Sequence, residues 1–418
     1  MEKNKSFKNL EKCRLCDSID FQDFLNLGNI PLGNNLQKSK KNALLCSAYP
    51  LKIKRCKNCM HFQLSVAIHP ELLFARNYTY LSGIGKSFVS HLKKYARWAC
   101  DYFSLGENSL VIDIGSNDGT CLKFFKENGC NVLGVDPATK PAEIANKNGI
   151  KTFNAFFNRS ISKKIIDKYG YADLITSHNV LAHVDNLQDV FKNIYFLLKE
   201  EGFFIFEVGY FKSVLESGCF DTTYHEHLDY HHALPLTRYL HSLGFSIIGI
   251  ETNNIQGGSL RFLTQKNSNP KIHQKAKQFL KQESLSVLYD DNFLSKWEKI
   301  IMQSMQDLKL YIQKNLKSDY LIAGYGAPTK ASLLLSMANL GINEISFIIE
   351  DNELKVGRYL PKTGIPIVCI KELRKKKPNL ILILAWNFAE DIITKLRVTV
   401  DWPMKCVVPL PELKIIDL

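Results

Sequence analysis

The stretch Val111-Ile-Asp-Ile-Gly-Ser-Asn-Asp-Gly-Thr120 decides the fold of this 418-residue chain. Its apolar start predicts a buried strand, which stops at the glycine-rich turn Gly115 to Gly119 before a predicted helix. Glycine in such a turn lets the main chain pass close to a ligand, because no Cβ stands in the way. The next predicted strand ends at Asp136, where doubly wound folds place a carboxylate that accepts ribose hydroxyls. The two features together predict a ligand pocket.

The spacing of the glycines indicates which ligand the pocket holds. A dinucleotide fingerprint needs G-x-G-x-x-G, whereas here three residues separate Gly115 from Gly119. Asp113, two residues before the first glycine, would place a carboxylate near a ligand amino group and would repel a phosphate. The pattern D-x-G-x-x-x-G, followed by Gly134-Val-Asp136, resembles the class I S-adenosylmethionine-dependent methyltransferases. The rival interpretation is a strand turn that binds no ligand. The predicted cofactor-binding residues are Asp113, Gly115, Asn117, Asp136, Pro137 and Asn179.

The composition is that of an ordinary globular protein, with 45% hydrophobic and 23% charged residues, and the length suits two or three domains. No apolar run reaches the ~18 residues of a membrane span, and Met1 to Lys8 contain no apolar core of a signal peptide. We therefore expect a cytoplasmic protein without a membrane partner. The net charge is +13, but the lysines are scattered and form no stripe, which argues against a nucleic-acid partner. A positive field also suits an anionic diphosphate substrate.

Four of the eleven cysteines form two C-x-x-C pairs: Cys13 with Cys16, and Cys56 with Cys59. This spacing lets two thiolates of a tight turn reach one tetrahedral zinc ion. The interval of 39 residues between the pairs is longer than usual for a zinc ribbon. A redox dithiol is the rival interpretation, but neither pair opens a helix after a strand. We expect structural zinc, since four thiolates leave no open coordination position, and we do not expect Cys46 to be a ligand.

Strands and helices alternate after Asp136, which predicts a largely parallel sheet with crossover helices. The fourth predicted strand leads into Asn179 and His183, and ligands bind at the carboxyl ends of such strands. The fifth leads to a histidine cluster that begins Tyr224-His-Glu-His227. Its spacing is poor for a metal, whereas an imidazole beside a carboxylate or a phenol suits general acid–base catalysis. The rival interpretation is a solvated polar loop.

Two further stretches are candidates for the same cleft. Tyr78 and Tyr80 would share one face of an extended segment and could form a pocket rim, although this pattern taken alone favours half-buried core. A second unit of strand, glycine turn and helix begins at Tyr320, with Gly326 in the turn and Lys330 at the helix start, which is an anion site by geometry and charge. The sequence thus predicts an α/β protein of three domains: a zinc-binding domain at 1–70, a methyltransferase domain at 71–265 and a second Rossmann-like domain at 266–418.

Nearly the whole chain resembles the sugar C-methyltransferases that act on nucleotide-linked deoxysugars. The resemblance rests on collinear motifs: the two C-x-x-C pairs, Ile114-Gly-Ser-Asn-Asp-Gly119, Asn179-Val-Leu-Ala-His-Val-Asp185, Tyr224-His-Glu-His-Leu228, Gly257-Gly-Ser-Leu-Arg261, Tyr325-Gly-Ala-Pro-Thr-Lys330 and Leu384-Ala-Trp-Asn-Phe388. It implies structural zinc, S-adenosylmethionine in the middle domain, and a nucleoside-diphosphate keto sugar held between the middle and C-terminal domains. It further implies substrate contacts from Arg261, Tyr325, Gly326, Lys330 and Asn387. We expect a monomer or a weak homodimer.

The reaction that the resemblance implies is methylation at C3 of a 4-keto-hexose, through removal of the acidified C3 proton. His227 would be the base, and Tyr224 and Glu226 would orient it or the sugar. His183 and one of Tyr78 and Tyr80 would line the same cleft. Asp113 departs from the family, which tends to have glutamate there, and the loop at 362–364 also differs, which leaves the nucleotide or sugar preference open.

Three other functions remain open from the sequence. An O- or N-methyltransferase could use the same base on a hydroxyl or amine of a similar nucleotide sugar. A zinc-bearing nucleic-acid-binding protein would have clustered arginines with exposed aromatic residues. A regulatory module would sense ligands in its two nucleotide pockets without catalysing a reaction, and would not need His227.

Overall fold

The computed structural model describes residues 6–73, 81–318 and 320–418. Tyr78 and Tyr80, the predicted pocket rim, lie outside the described residues. Three units follow one another along the described chain; the N-terminal one holds a larger and a two-stranded sheet, and each of the others is built on one sheet. Among the helices that the structure describes, none has the length and apolar character needed to cross a bilayer.

The N-terminal unit is a small antiparallel sheet in which β2, β3 and β4 are neighbours, while β1 pairs with β5. Alternation of buried and partly exposed residues along β3 predicts one face against a core, and Leu51 and Ile53 are fully buried there. The elements of this unit are β1 (Phe7–Asn9), β2 (Phe21–Pro31), α1 (Lys40–Leu44), β3 (Ala48–Cys56), β4 (Phe62–Leu64), β5 (Val66–Ile68) and α2 (Pro70–Leu73).

The central unit is a seven-stranded sheet with the order β12-β13-β10-β9-β6-β7-β8. All neighbours are parallel except β13, which is antiparallel to both β10 and β12. The elements are α3 (Lys86–Phe103), β6 (Leu110–Ile114), α4 (Thr120–Glu127), β7 (Asn131–Asp136), α5 (Thr139–Lys147), β8 (Thr152–Asn154), α6 (Arg159–Tyr169), β9 (Ala172–His178), α7 (Leu187–Leu197), β10 (Leu198–Gly209), α8 (Phe211–Ser217), β11 (Asp229–Tyr230), α9 (Ala233–Ser242), β12 (Phe245–Asn253) and β13 (Ser259–Lys266).

Strand β6 lies in the middle of this sheet, and all five of its residues are buried. Ile112 and Ile114 pack into one core, whereas Val111 packs into the core on the opposite face beneath α3 and α4. A strand covered on both faces reads as a continuous apolar run, which explains why the sequence pattern was clear. The glycine turn therefore stands at the centre of the sheet's carboxyl edge, where such sheets bind ligands.

The C-terminal unit has a six-stranded sheet with the order β16-β15-β14-β17-β18-β19, parallel except for β19. Its elements, preceded by two helices, are α10 (Gln274–Glu283), α11 (Asp291–Leu316), β14 (Ile322–Tyr325), α12 (Ala331–Met337), β15 (Ile348–Ile349), β16 (Ile367–Val368), α13 (Lys371–Lys376), β17 (Leu380–Ile383), α14 (Ala389–Thr399), β18 (Lys405–Val408) and β19 (Lys414–Asp417). The predicted α/β class is thus confirmed.

The N-terminal unit packs against both of the others. Strand β11, from the central part of the chain, pairs with β4 and extends the N-terminal sheet. Gln37 forms a β-bridge with Tyr359 of the C-terminal unit. Trp297 of α11 is buried and stacks on Phe24 of β2, with ring centroids 5.6 Å apart. These contacts bring residues from all three units to one region of the molecule.

Candidate active site

The turn after β6 is shaped for close approach of two loops. Gly115 has φ +73°, and a Cβ on it would lie 2.2 Å from Cγ2 of Val180. Val180 belongs to the turn that follows β9, the neighbouring strand. Both the backbone conformation and the lack of space therefore require glycine at position 115.

Asp136, at the end of β7, fixes this turn. Its carboxylate accepts the N–H of Asn117 at 2.9 Å and the N–H of Ala138 at 2.8 Å. Burial raises the pKa of Asp136, although the two backbone hydrogen bonds act to lower it. Pro137, between these groups, is exposed at the rim. The structure thus places Gly115, Asn117 and Asp136 together.

Unsatisfied polar groups lie beneath the turn. Within the described residues, Oδ1 of Asp113 has no hydrogen-bond partner, nor has either ring nitrogen of His178, at the end of β9. Asp113, Cys121 and His178 bring one donor atom each within 4.8 Å of one another. Burial raises the pKa of Asp113 and lowers that of His178 to about 4. A buried polar atom without a partner is costly, and the ammonium group of a bound S-adenosylmethionine would supply one.

Asn179 follows directly in the left-handed conformation, with φ 56°. Its N–H donates to the carbonyl oxygen of Glu207 at 2.8 Å, while its side-chain Nδ2 is buried with no partner among the described residues. The residues predicted to hold the cofactor thus line one edge of the sheet. Among the described residues, Oδ1 of Asp113 and Nδ2 of Asn179 have no hydrogen-bond partner. Their arrangement fits S-adenosylmethionine.

Tyr224 and His227 form the centre of the second cluster. The Tyr224 hydroxyl lies 2.8 Å from Nε2 of His227, and Nδ1 of the same ring lies 2.8 Å from the carbonyl oxygen of Thr222. Because a carbonyl only accepts, Nδ1 carries the hydrogen and Nε2 presents its lone pair to the hydroxyl. Burial lowers the pKa of His227 to about 3, so the ring is neutral near pH 7.

His183 lies beside this pair, with its ring centroid 4.8 Å from that of His227. Its Nδ1 donates to the carbonyl oxygen of Glu226 at 2.7 Å, which again leaves Nε2 as an acceptor. Burial lowers the pKa of His183 as well. The structure therefore brings together His183, Tyr224, Glu226 and His227, as the sequence predicted.

Glu226 is 8% exposed, and burial raises its pKa to about 7. Its Oε1 accepts a hydrogen bond from Nδ2 of Asn34 at 2.9 Å, and Oδ1 of Asn34 accepts from the hydroxyl of Thr329 at 2.8 Å. Asn34 belongs to the N-terminal unit and Thr329 to the turn after β14. The three units of the chain therefore meet at the histidine cluster.

Lys330 brings a positive charge to the same region. Its Nζ lies 3.3 Å from Oδ2 of the buried Asp221 and 3.9 Å from the ring centroid of Trp386. Burial lowers the pKa of Lys330, whereas Asp221 acts to raise it. Asp221 lies just before the 224–227 cluster in the chain. This ammonium group can therefore bind an anion at the boundary between the central and C-terminal units.

The other predicted substrate residues are spread more widely. The Tyr325 hydroxyl donates to Asp351 at 3.0 Å, and Gly326 adopts φ +85° beside Ala385. Asn387 is exposed next to Trp386. Arg261 is held by the buried Glu207 at 2.7 Å and lies over the rings of Tyr95 and Trp98. These partners belong to β10 and α3 and not to the histidine cluster.

The four predicted zinc ligands converge. Sγ of Cys13 lies 3.5 Å from Sγ of Cys59, and Sγ of Cys16 lies 3.6 Å from Sγ of Cys56. All four sulfur atoms lie within 4.8 Å of one another. Four thiolates at this spacing fit a tetrahedral zinc ion, which would fasten the two knuckles together.

Three residues of the site were missed by the sequence analysis: Arg14, Asn34 and Asp221. Each makes its important contact with a residue more than 160 positions away. None belongs to a local pattern that predicts chemistry. Only the spacing of Arg14 within the first C-x-x-C pair offered a signal, since a residue there must face whatever packs on the zinc knuckle.

The sheet order, the glycine turn and the acidic end of β7 together define a class I S-adenosylmethionine-dependent methyltransferase. Three family models match the chain in succession: "Putative zinc binding domain" over residues 13–74, "Methyltransferase domain" over 88–250 and "C-methyltransferase C-terminal domain" over 254–411. These three matches, in this order along the chain, support an S-adenosylmethionine-dependent C-methyltransferase with an N-terminal zinc-binding domain.

Known proteins resemble the chain to different extents. It is 29% identical to C-methyltransferase NovU of Streptomyces niveus over 409 aligned residues. The alignment covers 98% of this chain and 97% of that protein. Among solved structures, it resembles an S-adenosylmethionine-dependent methyltransferase from Archaeoglobus fulgidus with 18% identity and a TM-score of 0.35, covering 43% of this chain and 94% of that one. Magnesium protoporphyrin IX methyltransferase from Synechocystis PCC 6803 gives 15% identity and a TM-score of 0.33, covering 43% and 79%.

Proposed function

We propose that the enzyme methylates C3 of a nucleoside-diphosphate 4-keto-deoxysugar through an enolate, as its resemblance to the sugar C-methyltransferases implies. The observation that carries this proposal is the pair of Tyr224 and His227. A neutral imidazole whose Nε2 carries the lone pair is a base, and the phenol beside it can donate to an oxygen on which negative charge develops. Proton abstraction next to a ketone needs both.

The proposed reaction has two steps, which are proton removal from C3 and methyl transfer to C3. Nε2 of His227 takes the C3 proton, and the electron pair of the C3–H bond moves into the C3–C4 bond as the ketone becomes an enolate. S-adenosylmethionine supplies a methyl group on a positively charged sulfur. The enolate carbon bonds to that methyl carbon while the carbon–sulfur bond breaks, which leaves S-adenosylhomocysteine, the 3-C-methyl ketone and a proton on His227.

The neighbouring residues have separate roles in this proposal. The Tyr224 hydroxyl turns from Nε2 towards the enolate oxygen. His183, whose Nδ1 donates to the Glu226 carbonyl, has no donor at Nε2 in this tautomer, so it would not stabilise the oxyanion. Lys330, which is paired with Asp221, would bind the diphosphate through its remaining N–H donors. Asp113 and Asn179 would hold the cofactor, and the four cysteines would hold structural zinc.

The test is an incubation of the full-length protein with S-adenosylmethionine and a panel of 4-keto-deoxy nucleotide sugars in deuterated water, followed by mass spectrometry. One added methyl on a keto sugar, absent with the matching 4-hydroxy sugar, is the expected result. His227→Asn should bind the cofactor normally but lose both methylation and deuterium entry at C3. Methyl transfer to the 4-hydroxy sugar or to an amino sugar would overturn the proposal and favour O- or N-methylation.

A further inference from the structure

The N-terminal unit supplies a side chain to the histidine cluster. Asn34 follows β2 and reaches Glu226 with its Nδ2 at 2.9 Å, while its Oδ1 accepts from the Thr329 hydroxyl at 2.8 Å. We propose that Asn34 is a positioning residue that orients the Glu226 carboxylate, so that the zinc-binding unit is part of the catalytic centre. This inference rests on the proposed function, with the role that the resemblance implies for Glu226, which is to orient His227 or the sugar.

The backbone before Asn34 has no freedom to move away. A Cβ on Gly33 would lie 1.9 Å from the carbonyl oxygen of Thr329, so the chain at Gly33 runs directly against the turn after β14. Only glycine fits at this approach. Asn34 is therefore held against the C-terminal unit while its amide reaches into the central unit.

With Glu226 ionised, the amide of Asn34 has one consistent orientation, because the carboxylate can only accept. The Thr329 hydroxyl donates to the amide oxygen, which directs the two N–H donors of Nδ2 towards Glu226. An ionised carboxylate accepts such a bond, and hydrogen bonds to a charged acceptor are about twice as strong as neutral ones. The contact therefore favours the charged form of Glu226 and fixes the plane of its carboxylate.

The titratable groups on the surrounding elements leave Asn34 as the main polar influence on Glu226. His183 contacts the backbone carbonyl of Glu226, His225 and His227 flank it in the chain, and burial lowers the pKa of each imidazole. On the facing turn, Lys330 is paired with Asp221. Burial raises the pKa of Glu226 to about 7, and the hydrogen bond from Asn34 acts in the opposite direction. Loss of this bond should leave Glu226 protonated at neutral pH.

The experiment compares the pH dependence of kcat in a small set of variants of the full-length enzyme. Asn34→Ala should move the acid limb of the profile upward by about one to two pH units, because a hydrogen bond to a charged group contributes about 1.5–3 kcal/mol. Thr329→Val, which releases the amide, should move it in the same direction, and Thr329→Ser should restore it. Asn35→Ala is the matched control, since Asn35 contacts Gln37 and Cys46 instead.

The variant Glu226→Gln distinguishes an error in the role of Glu226 from an error in the role of Asn34. If Glu226 acts as proposed, this variant loses the acid limb, and adding Asn34→Ala to it changes nothing further. A normal acid limb in Glu226→Gln would show that the role assigned to Glu226 is wrong. If Glu226→Gln loses the acid limb but Asn34→Ala does not shift it, the positioning role of Asn34 alone would be overturned. Should Asn34→Ala lose zinc or fail to fold, an unshifted profile in Thr329→Val would overturn it equally.

Discussion

The hydroxyl oxygen of Tyr224 lies 2.8 Å from Nε2 of His227, and the centroids of the two rings are 4.1 Å apart. Thr222 holds the opposite nitrogen of the imidazole through its carbonyl oxygen. The ring is therefore fixed in one orientation and one tautomer before substrate binds. A preset base beside a preset donor lowers the reorganisation that proton abstraction requires.

Removal of the Tyr224 hydroxyl should impair catalysis more than binding. In Tyr224→Phe we expect kcat to fall about 100-fold, as for loss of one preorganised donor to a developing oxyanion, with the affinity for S-adenosylmethionine unchanged. Steady-state kinetics and cofactor titration measure the two quantities. Tyr239→Phe is the control, because the Tyr239 hydroxyl has no hydrogen-bond partner among the described residues. Equal effects of the two variants would contradict the role of Tyr224.

Gly115→Ala should reduce cofactor affinity strongly. The left-handed backbone costs an L-residue about 1–2 kcal/mol, and the added Cβ would also collide with Val180. Gly28 has a similar backbone conformation, at φ +77°, but no atom lies within 4 Å of the Cβ that Gly28→Ala adds. This variant therefore measures the effect of the backbone conformation without a collision. Isothermal titration with S-adenosylmethionine should show weaker binding only for Gly115→Ala. Unchanged affinity in that variant would place the cofactor elsewhere.

The folded protein should lose stability below about pH 6.5, the ordinary pKa of histidine. Burial lowers the pKa of His178 and His225 to about 4 and that of His227 and His231 to about 3. Between these pKa values and 6.5 the unfolded chain binds protons that the folded chain does not bind. The free energy of unfolding therefore falls by about 1.4 kcal/mol per pH unit for each group. Glu226 has the opposite effect on stability, because its pKa is raised to about 7. Between about pH 7 and the ordinary pKa of glutamate, the folded chain binds a proton that the unfolded chain does not.

Urea unfolding at a series of pH values measures this effect. The midpoint should fall as the pH is lowered from 6.5 to 5, since four histidines outweigh the opposing carboxyl groups. His225→Gln should flatten the slope by nearly one proton, because it removes one group that charges only on unfolding. A midpoint that is independent of pH in this interval would mean that the histidines are not buried in the neutral form.

The cofactor edge of the sheet could be predicted from sequence because its determinants are local. An apolar run, a glycine turn and an acidic strand end follow one another within 27 positions, and β6 ends at Ile114 and α4 begins at Thr120 as expected. The zinc ligands were similarly visible as two short spacings. Each of these patterns reflects a constraint on neighbouring residues, which a single sequence displays directly.

The contacts between units could not be predicted in this way. Asn34 and Glu226 are 192 positions apart, and Arg14 and Asp229 are 215 apart. Arg261 carried a motif that suggested substrate binding, but the register of β10 and β13 places it opposite Glu207, which binds its guanidinium. Such pairings depend on how whole units pack, and no local propensity encodes that.

The zinc knuckle should support the active site through Arg14, which lies between Cys13 and Cys16. Its Nη1 donates to the carbonyl oxygen of Asp185 at 2.8 Å, and its Nε donates to Asp229 at 2.9 Å. Although burial acts to raise the pKa of Asp229, Arg14 lowers it to about 2. One side chain therefore ties the segment after His183 to the segment after His227.

Loss of zinc should consequently loosen both segments. In Cys56→Ser we expect less than one zinc per chain, faster hydrogen exchange in peptides covering 181–185 and 224–230, and a fall in kcat. Cys46→Ser is the matched control, because Cys46 lies outside the four-cysteine cluster and its loss should leave the zinc content at one. Arg14→Lys should keep the zinc but lose the forked contact, since an ammonium group cannot bond Asp229 and the carbonyl oxygens of Val184 and Asp185 in a fixed plane. If Arg14→Lys exchanged like the parent protein in both segments, zinc would act on the N-terminal unit alone.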